Sequence, residues 1–327
     1  MKSIIYLSPV VNRPAGGIKI IYRHAEILSK HLPESSNCKV FHFNDVNFKC
    51  DWFSHNVLFK KNTSFDSEKE FVILPEWMAS YHAKILKKLN VKYAIFVLNG
   101  FYIYTRPNDN TTDKDIYEAY NNAEFILSCS EEITKGIEFT FPEHKKKIKR
   151  VNISVDSNKF NFSEEEFNSK ENLIAYMPRK KKTTSDILIF LLKKHLPKNW
   201  KFTSIDNLKE SEVINTFKKS KIFLSFSELE GLGLPPIESA FCGNYVIGYT
   251  GEGGKEFWKM PIFEEIEAGD VLGFAKKVID KVNYLDKNSD NYNNFKSNIK
   301  ILRKKYSIAN EEVKIINLVD LIKKIFY

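Results

Sequence analysis

Two glutamates, Glu230 and Glu238, stand with seven residues between them in the stretch Ser227–Ser239, which reads SELEGLGLPPIES. A carboxylate accepts hydrogen bonds side by side and so suits the vicinal hydroxyls of ribose or a hexose. Two carboxylates can also share acid and base work across a glycosidic bond. Gly231 and Gly233 lie between them and let the backbone take positive φ or approach a ligand closely. Pro235 and Pro236 suit the first turn of a helix, where the backbone N–H is spare. A helix beginning near Pro236 puts Glu238 in its first turn, at an end that favours anions. On these residues alone three readings stand open: a solvated loop, a hydrolase carboxylate pair, and a cradle for a sugar nucleotide.

A second stretch, YMPRKKKTT, carries Arg179, Lys180, Lys181 and Lys182. Arginine offers a planar fork to phosphate oxygens and lysine a mobile point charge. Together they could neutralise a diphosphate leaving group. A solvated charge run is the alternative. The position after a strand favours the phosphate reading for one arginine and one lysine. Paired glycines, Gly16 and Gly17, precede a helical pattern and could present backbone N–H groups to an anion. Gly251–Glu256, GEGGKE, is either a second loop on the same pocket or a plain glycine turn. No G-x-x-x-x-G-K-[ST] and no credible G-x-G-x-x-G occurs, so neither a phosphate-loop NTPase nor a dinucleotide dehydrogenase is supported. The seven histidines show no metal-ligand spacing and none is assigned a role.

The elements that must position these residues alternate between strand and helix, the pattern of α/β layers with parallel sheets. Strands are expected at Ser3–Leu7, Val40–Phe43, Phe71–Leu74, Tyr93–Leu98 and Phe125–Cys129. A second set comprises Leu173–Tyr176, Phe202–Ile205, Ile222–Phe226 and Tyr245–Gly248. Helical periodicity follows Gly17, and recurs near Ser185–Leu192, Glu210–Ser220, Val271–Val282 and Ile315–Phe326. Arg106–Lys114 reads as a mobile loop and Asn161–Glu171 as a linker. With 327 residues the chain suits two domains of roughly 150 residues each. Two α/β halves imply a cleft, with ligands held on loops at the carboxyl ends of strands.

Strand, EGLGLPPIESAFCG and helix together resemble the retaining GT-B glycosyltransferases of family 4. The family's E-x(7)-E pattern matches at Glu230 and Glu238, with Ser239 where alanine is usual. VNISVDSNKF is similar in part to the family's N-G-V-D-x-x-x-F element, through Val155, Asp156 and Phe160. The resemblance implies two Rossmann-like domains: an acceptor-side domain over residues 1–160, a nucleotide-sugar domain over 161–305, and a final helix over 306–327 that crosses back to the first. It implies sugar transfer from a nucleotide-sugar to a glycan or glycolipid with retained anomeric configuration. In those terms Glu238 binds ribose hydroxyls and Glu230 the donor sugar. Arg179 with Lys180 or Lys182 binds diphosphate, aided by backbone groups of Gly233 and Leu234, and Gly16 and Gly17 close on the phosphates. No cofactor and no metal is expected, and bacterial surface polysaccharide or glycoconjugate assembly is the setting implied.

Net charge is +9, which favours anionic partners. The rival reading is a non-catalytic basic protein that binds anionic membrane surfaces or nucleic acid through Lys145–Arg150 and Lys180–Lys182. Few aromatics interleave those runs, which argues against nucleic acid; peripheral membrane contact is compatible with both readings. The four cysteines, Cys38, Cys50, Cys129 and Cys242, form no C-x-x-C pair. Free thiols in a reducing cytoplasm are expected, at the inner face of the cell membrane if the acceptor is lipid-linked. For the acceptor, Glu76 in LPEW and Asn99–Gly100 are candidates; a cap and a turn are their plainer alternatives.

Overall fold

The runs IIYL, FVIL and AIFV in the first half are apolar on both faces, the mark of strands covered by helices on each side. The computed structural model describes residues 2–105, 111–259, 261–288 and 291–326. The chain divides into two compact units, Met1–Ile153 with Ala309–Tyr327, and Ser154–Ile308.

The first unit runs β1 (Lys2–Ser8), α1 (Gly16–His31), β2 (Ser36–His42), β3 (Leu58–Phe59), β4 (Glu70–Pro75), α2 (Glu76–Lys88), β5 (Tyr93–Val97), α3 (Asp113–Asn122), β6 (Ile126–Ser128), α4 (Glu131–Thr140) and β7 (Ile148–Arg150). Its seven strands are parallel in the order β3-β2-β1-β4-β5-β6-β7. Of the Arg106–Lys114 stretch, residues 106–110 lie outside the described residues; the rest leads into α3, where Thr112 and Asp115 form a capping box.

The second unit runs α5 (Glu164–Asn168), β8 (Glu171–Tyr176), α6 (Lys182–Leu192), β9 (Lys201–Ser204), α7 (Glu210–Lys219), β10 (Ser220–Ser225), α8 (Leu234–Phe241), β11 (Tyr245–Gly248), β12 (Phe263–Glu265), α9 (Val271–Lys287) and α10 (Tyr292–Lys305). Five parallel strands take the order β12-β11-β10-β8-β9. Ile174, Ile222, Leu224 and Ile247 pack with Leu188 and Leu192 of α6 and with Phe274, Val278 and Val282 of α9.

The linker expected at Asn161–Glu171 is instead built into this unit. Ser163 caps α5 in a capping box with Glu166. Phe162 and Phe167 are buried and meet Phe295 at 5.7 and 5.2 Å between ring centroids. The two phenylalanines supply the apolar burial that a polar linker lacks. Lys170 is buried too. Its ammonium donates to the carbonyls of Phe217, Lys218 and Ser220 and to Asn244 Oδ1, at 2.8–3.1 Å. It thereby closes the end of α7, whose last carbonyls have no partner within the helix.

The last helix, α11 (Ile308–Phe326), lies almost wholly in the first unit. Ile315, Leu318, Val319, Ile322 and Phe326 are buried at the spacing expected of one helix face. Glu311 on the same helix is fully buried, with Oε1 3.4 Å from His24 Nε2 and Oε2 3.6 Å from Arg23 Nη1 of α1. A buried carboxylate is costly without such neighbours, so Glu311 fixes where α11 sits along α1.

Candidate functional site

The residues singled out at 176–184, 227–239 and 251–256 come together at one end of the five-stranded sheet. Tyr176 of β8 pairs with Leu224 of β10, and Ser225 of β10 with Gly248 of β11. Three adjacent strands therefore end at the same level, and their loops leave from the carboxyl edge side by side, where open α/β sheets hold ligands.

The first loop is a 3-10 turn, Pro178–Lys180, followed by Lys181 and α6. Arg179 is exposed on it, and Lys180 is exposed over about half of its side chain, 46%. The Lys180 ammonium contacts Glu230 Oε1 in the second loop, and Lys181 pairs with Glu228 of the same loop. Burial, then the neighbouring Arg179 guanidinium, draws the Lys180 ammonium down to about 8, while the Glu230 carboxylate in contact with it favours the charge. Lys182, in contrast, turns back along its own helix to Asp186, at 2.7 Å. That hydrogen bond raises its pKa. Of the two lysines named for diphosphate, the fold brings Lys180 to the glutamate motif and leaves Lys182 on α6.

In the second loop Gly233 adopts φ +80° and caps α8. The helix thus begins at Leu234, not near Pro236, because the left-handed glycine ends the loop there and the two prolines carry helical φ onward. Glu238 consequently falls outside the first turn, which holds no acidic residue. Pro235 and Pro236 lack an N–H, so the amides of Gly233 and Leu234 are the donors left at the helix start. A methyl at Gly233 would sit 3.9 Å from Glu230 Cβ, which puts the Glu230 stem beside that start. Glu238 is partly exposed one turn further on, and Ser239 next to it is fully buried.

The third loop resolves the choice left open at Gly251–Glu256. The Glu230 N–H donates to the Gly251 carbonyl at 2.8 Å, and the Gly253 N–H to the Glu230 carbonyl at 3.3 Å. A Cβ at Gly251 would lie 2.9 Å from Glu230 Cβ, and one at Gly253 only 1.9 Å from the Gly231 carbonyl oxygen. These glycines let the third loop lie flush on the second and hold Glu230 from behind. Glu230 is thus fixed by its backbone to one neighbouring loop and by its carboxylate to the other. Glu228 was missed in the sequence; it lies inside the quoted motif, but its partner Lys181 is too far along the chain for spacing to reveal.

The remaining candidates lie in the first unit. Gly16 and Gly17 open α1, whose N-cap, Ala15, gives no side-chain hydrogen bond and whose first turn has no acid. A methyl at Gly17 would meet Leu98 Cδ1 at 3.4 Å, an ordinary contact, so packing alone does not demand glycine there. Glu76 and Asn99 are brought together: the Leu98 and Asn99 N–H groups donate to the two Glu76 oxygens at 3.0 and 3.1 Å. Burial pushes the Glu76 carboxyl up to about 7. It pins the turn after β5 from beneath. All four cysteines are buried and none is in a disulfide. Among the described residues no cluster of three or more His, Cys, Asp or Glu side chains is placed to hold a metal, and no helix is long and apolar enough to cross a membrane.

No protein-family model matches the chain. The Alpha-1,6-glucosyltransferase of Actinobacillus pleuropneumoniae serotype 7 (strain AP76) is 30% identical over 139 residues, 39% of this chain and 38% of that protein. The match therefore spans well under half of that relative. Among solved structures, Anabaena Alr3699/HepE in complex with UDP superposes with a TM-score of 0.71 at 11% identity, over 99% of this chain and all of that one. A glycosyltransferase from Rickettsia africae ESF-5 gives a TM-score of 0.67 at 14% identity, over 99% of each chain. Two parallel α/β units with these neighbours establish the expected fold class: the chain has the GT-B fold, shared with glycosyltransferases of known structure.

Proposed function

We propose that the chain is a retaining, metal-independent glycosyltransferase of the family 4 type, moving a sugar from a nucleotide-sugar to a glycan or lipid-linked acceptor. The observation that carries this reading is the junction of Lys180, Glu230 and the α8 N-terminus on adjacent strand-end loops. A hydrolase has no use for a basic diphosphate-binding loop, whereas transfer from a nucleotide-sugar needs one. The partial likeness to a glucosyltransferase and the UDP complex of a structural neighbour point the same way.

On this reading Arg179 and Lys180 bind the diphosphate, and the Gly233 and Leu234 amides add hydrogen bonds without charge. These donors, not a metal ion, offset the charge that grows on the leaving oxygen. Glu238 takes the ribose hydroxyls and Glu230 the donor sugar. The bond from the anomeric carbon to the diphosphate breaks with its electron pair going to phosphate oxygen. The acceptor hydroxyl bonds to that carbon on the same face and gives up its proton to the departing diphosphate oxygen. In the first unit, Gly16 and Gly17 are candidate amide donors to an anion, and the turn pinned by Glu76 is a candidate acceptor site. Lys182 is the weaker choice for diphosphate because it is committed to Asp186.

Isothermal titration with UDP, GDP and dTDP tests the donor half. At least one should bind, and Arg179→Ala and Glu238→Ala should each weaken it. Failure of all three to bind would remove the basis of the proposal.

A further inference from the structure

We propose that the outer face of α2 docks the protein on an anionic lipid bilayer. Trp77, Tyr81, Ile85 and Leu89 recur every fourth residue along α2 and its C-cap. Trp77 is partly exposed, and Tyr81, Ile85 and Leu89 are 43%, 38% and 44% exposed. The opposite side, with Ala79, Ala83 and Leu86, is buried in the first unit, and so is Met78, which lies at the Ile85 edge of the stripe. The helix therefore has two apolar faces and only one of them is covered.

The residue types along the open face choose its occupant. Tryptophan and tyrosine carry an apolar ring with a polar edge, the combination that settles at headgroup depth. Lys84 and Lys88 fall on the same side, since a step of 100° per residue sets both within about 60° of Tyr81. Their aliphatic stems can lie along the apolar stripe while the ammonium groups reach lipid phosphates. Protein–protein interface cores are depleted in lysine, so lysines set among apolar anchors favour a bilayer over a second copy.

Charge agrees. From Trp77 to Thr105 the sequence holds no acidic residue. Lys84 pairs with Asp115 of α3 at 2.7 Å and Lys87 with Glu118 at 3.7 Å; such surface pairs are worth little and yield readily to lipid phosphate. Lys92 donates to the Ile325 carbonyl. Of the two basic runs prominent in the sequence, Lys180–Lys182 lies in the other unit at the loops of the proposed donor site. In the other run, Lys147 donates to the carbonyls of Asn121 and Ala123.

The test is co-sedimentation of the full chain with vesicles of phosphatidylcholine, alone or mixed with phosphatidylglycerol. No nucleotide or sugar is present, so the outcome is independent of the transfer reading. Wild type should pellet with the anionic vesicles and be released by salt. Ile85→Glu combined with Leu89→Glu should weaken binding tenfold or more, on the order of two charges brought to an apolar contact. Lys88→Ala should weaken it about fivefold, from the attraction expected of one lysine near an anionic surface. Phe190→Glu, at a still more open apolar position on α6 of the other unit, should bind as wild type, and thermal melts confirm that each variant is folded. Three results would overturn the proposal: wild type left in the supernatant with both vesicles, unchanged pelleting of the double glutamate variant, or a dimer in solution that this variant dissociates.

Discussion

Lys180 is the residue whose charge state matters most for the proposed donor site. Burial and Arg179 bring its ammonium to about 8, so it is charged below that pH and neutral above it. The charged form is the one that binds phosphate. Nucleoside diphosphate affinity should therefore fall as pH rises through about 8, and titrations on either side should show it. In Lys180→Ala that dependence should flatten; an equally steep fall in the variant would assign it to another group. Glu238→Ala should cost about 1.5–3 kcal/mol of nucleotide affinity, the range for a hydrogen bond to a charged group, or roughly tenfold to a hundredfold. Ser239 makes the opposite kind of prediction. Its buried hydroxyl has no hydrogen-bond partner among the described residues, so Ser239→Ala should be neutral or stabilise by up to about 1 kcal/mol in chemical denaturation. A clear loss would mean that the hydroxyl has a partner in solution. At this scale the glutamate motif and the arginine were legible, because their types and local spacing carry the chemistry. The choice of Lys180 over Lys182 was not, since it depends on which loop lies across from each lysine.

At the scale of elements, the three strand-end loops stand or fall with their glycines. Gly253→Ala would drive a methyl into the Gly231 carbonyl and should destabilise by about 1–3 kcal/mol, the usual range for forced overpacking, with a matching loss of nucleotide binding. Gly269 is the control. It has φ +93° but open space around its Cβ position, so alanine there should cost only about 1–2 kcal/mol of backbone strain and leave nucleotide affinity unchanged. Equal effects on affinity would deny the third loop its part in holding Glu230. Apolar strands such as β1, β4 and β5 were readable because burial on both faces leaves a continuous apolar run. Two-residue β3 and three-residue β12 were not, being too short to show a period. The start of α8 was misplaced because proline marks a first turn but not which residue of it; the left-handed Gly233 decides that. Asn161–Glu171 was misread because two phenylalanines among polar residues look incidental until Phe295, far along the chain, packs on them.

At the scale of the whole molecule, the first unit is completed by the far end of the chain. Leu318 is buried on α11. Leu318→Ala should cost about 2–5 kcal/mol, as large-to-small core changes do, and the amides lost to hydrogen exchange should lie in α11 and the first unit's core. If protection fell equally in the second unit's sheet, the division into separate cores would be wrong. The two-unit α/β plan was legible from alternating elements. The return of α11 rested on resemblance, because periodicity identifies a helix face but not the surface it meets.

The central claim is that the loops after β8, β10 and β11 form a nucleotide-sugar site, and calorimetric titration with UDP, GDP and dTDP tests it most directly. The account predicts binding of at least one, weakened about tenfold or more by Arg179→Ala and by Glu238→Ala with the fold intact. Binding that ignores both substitutions, or no binding of any of the three, would contradict it.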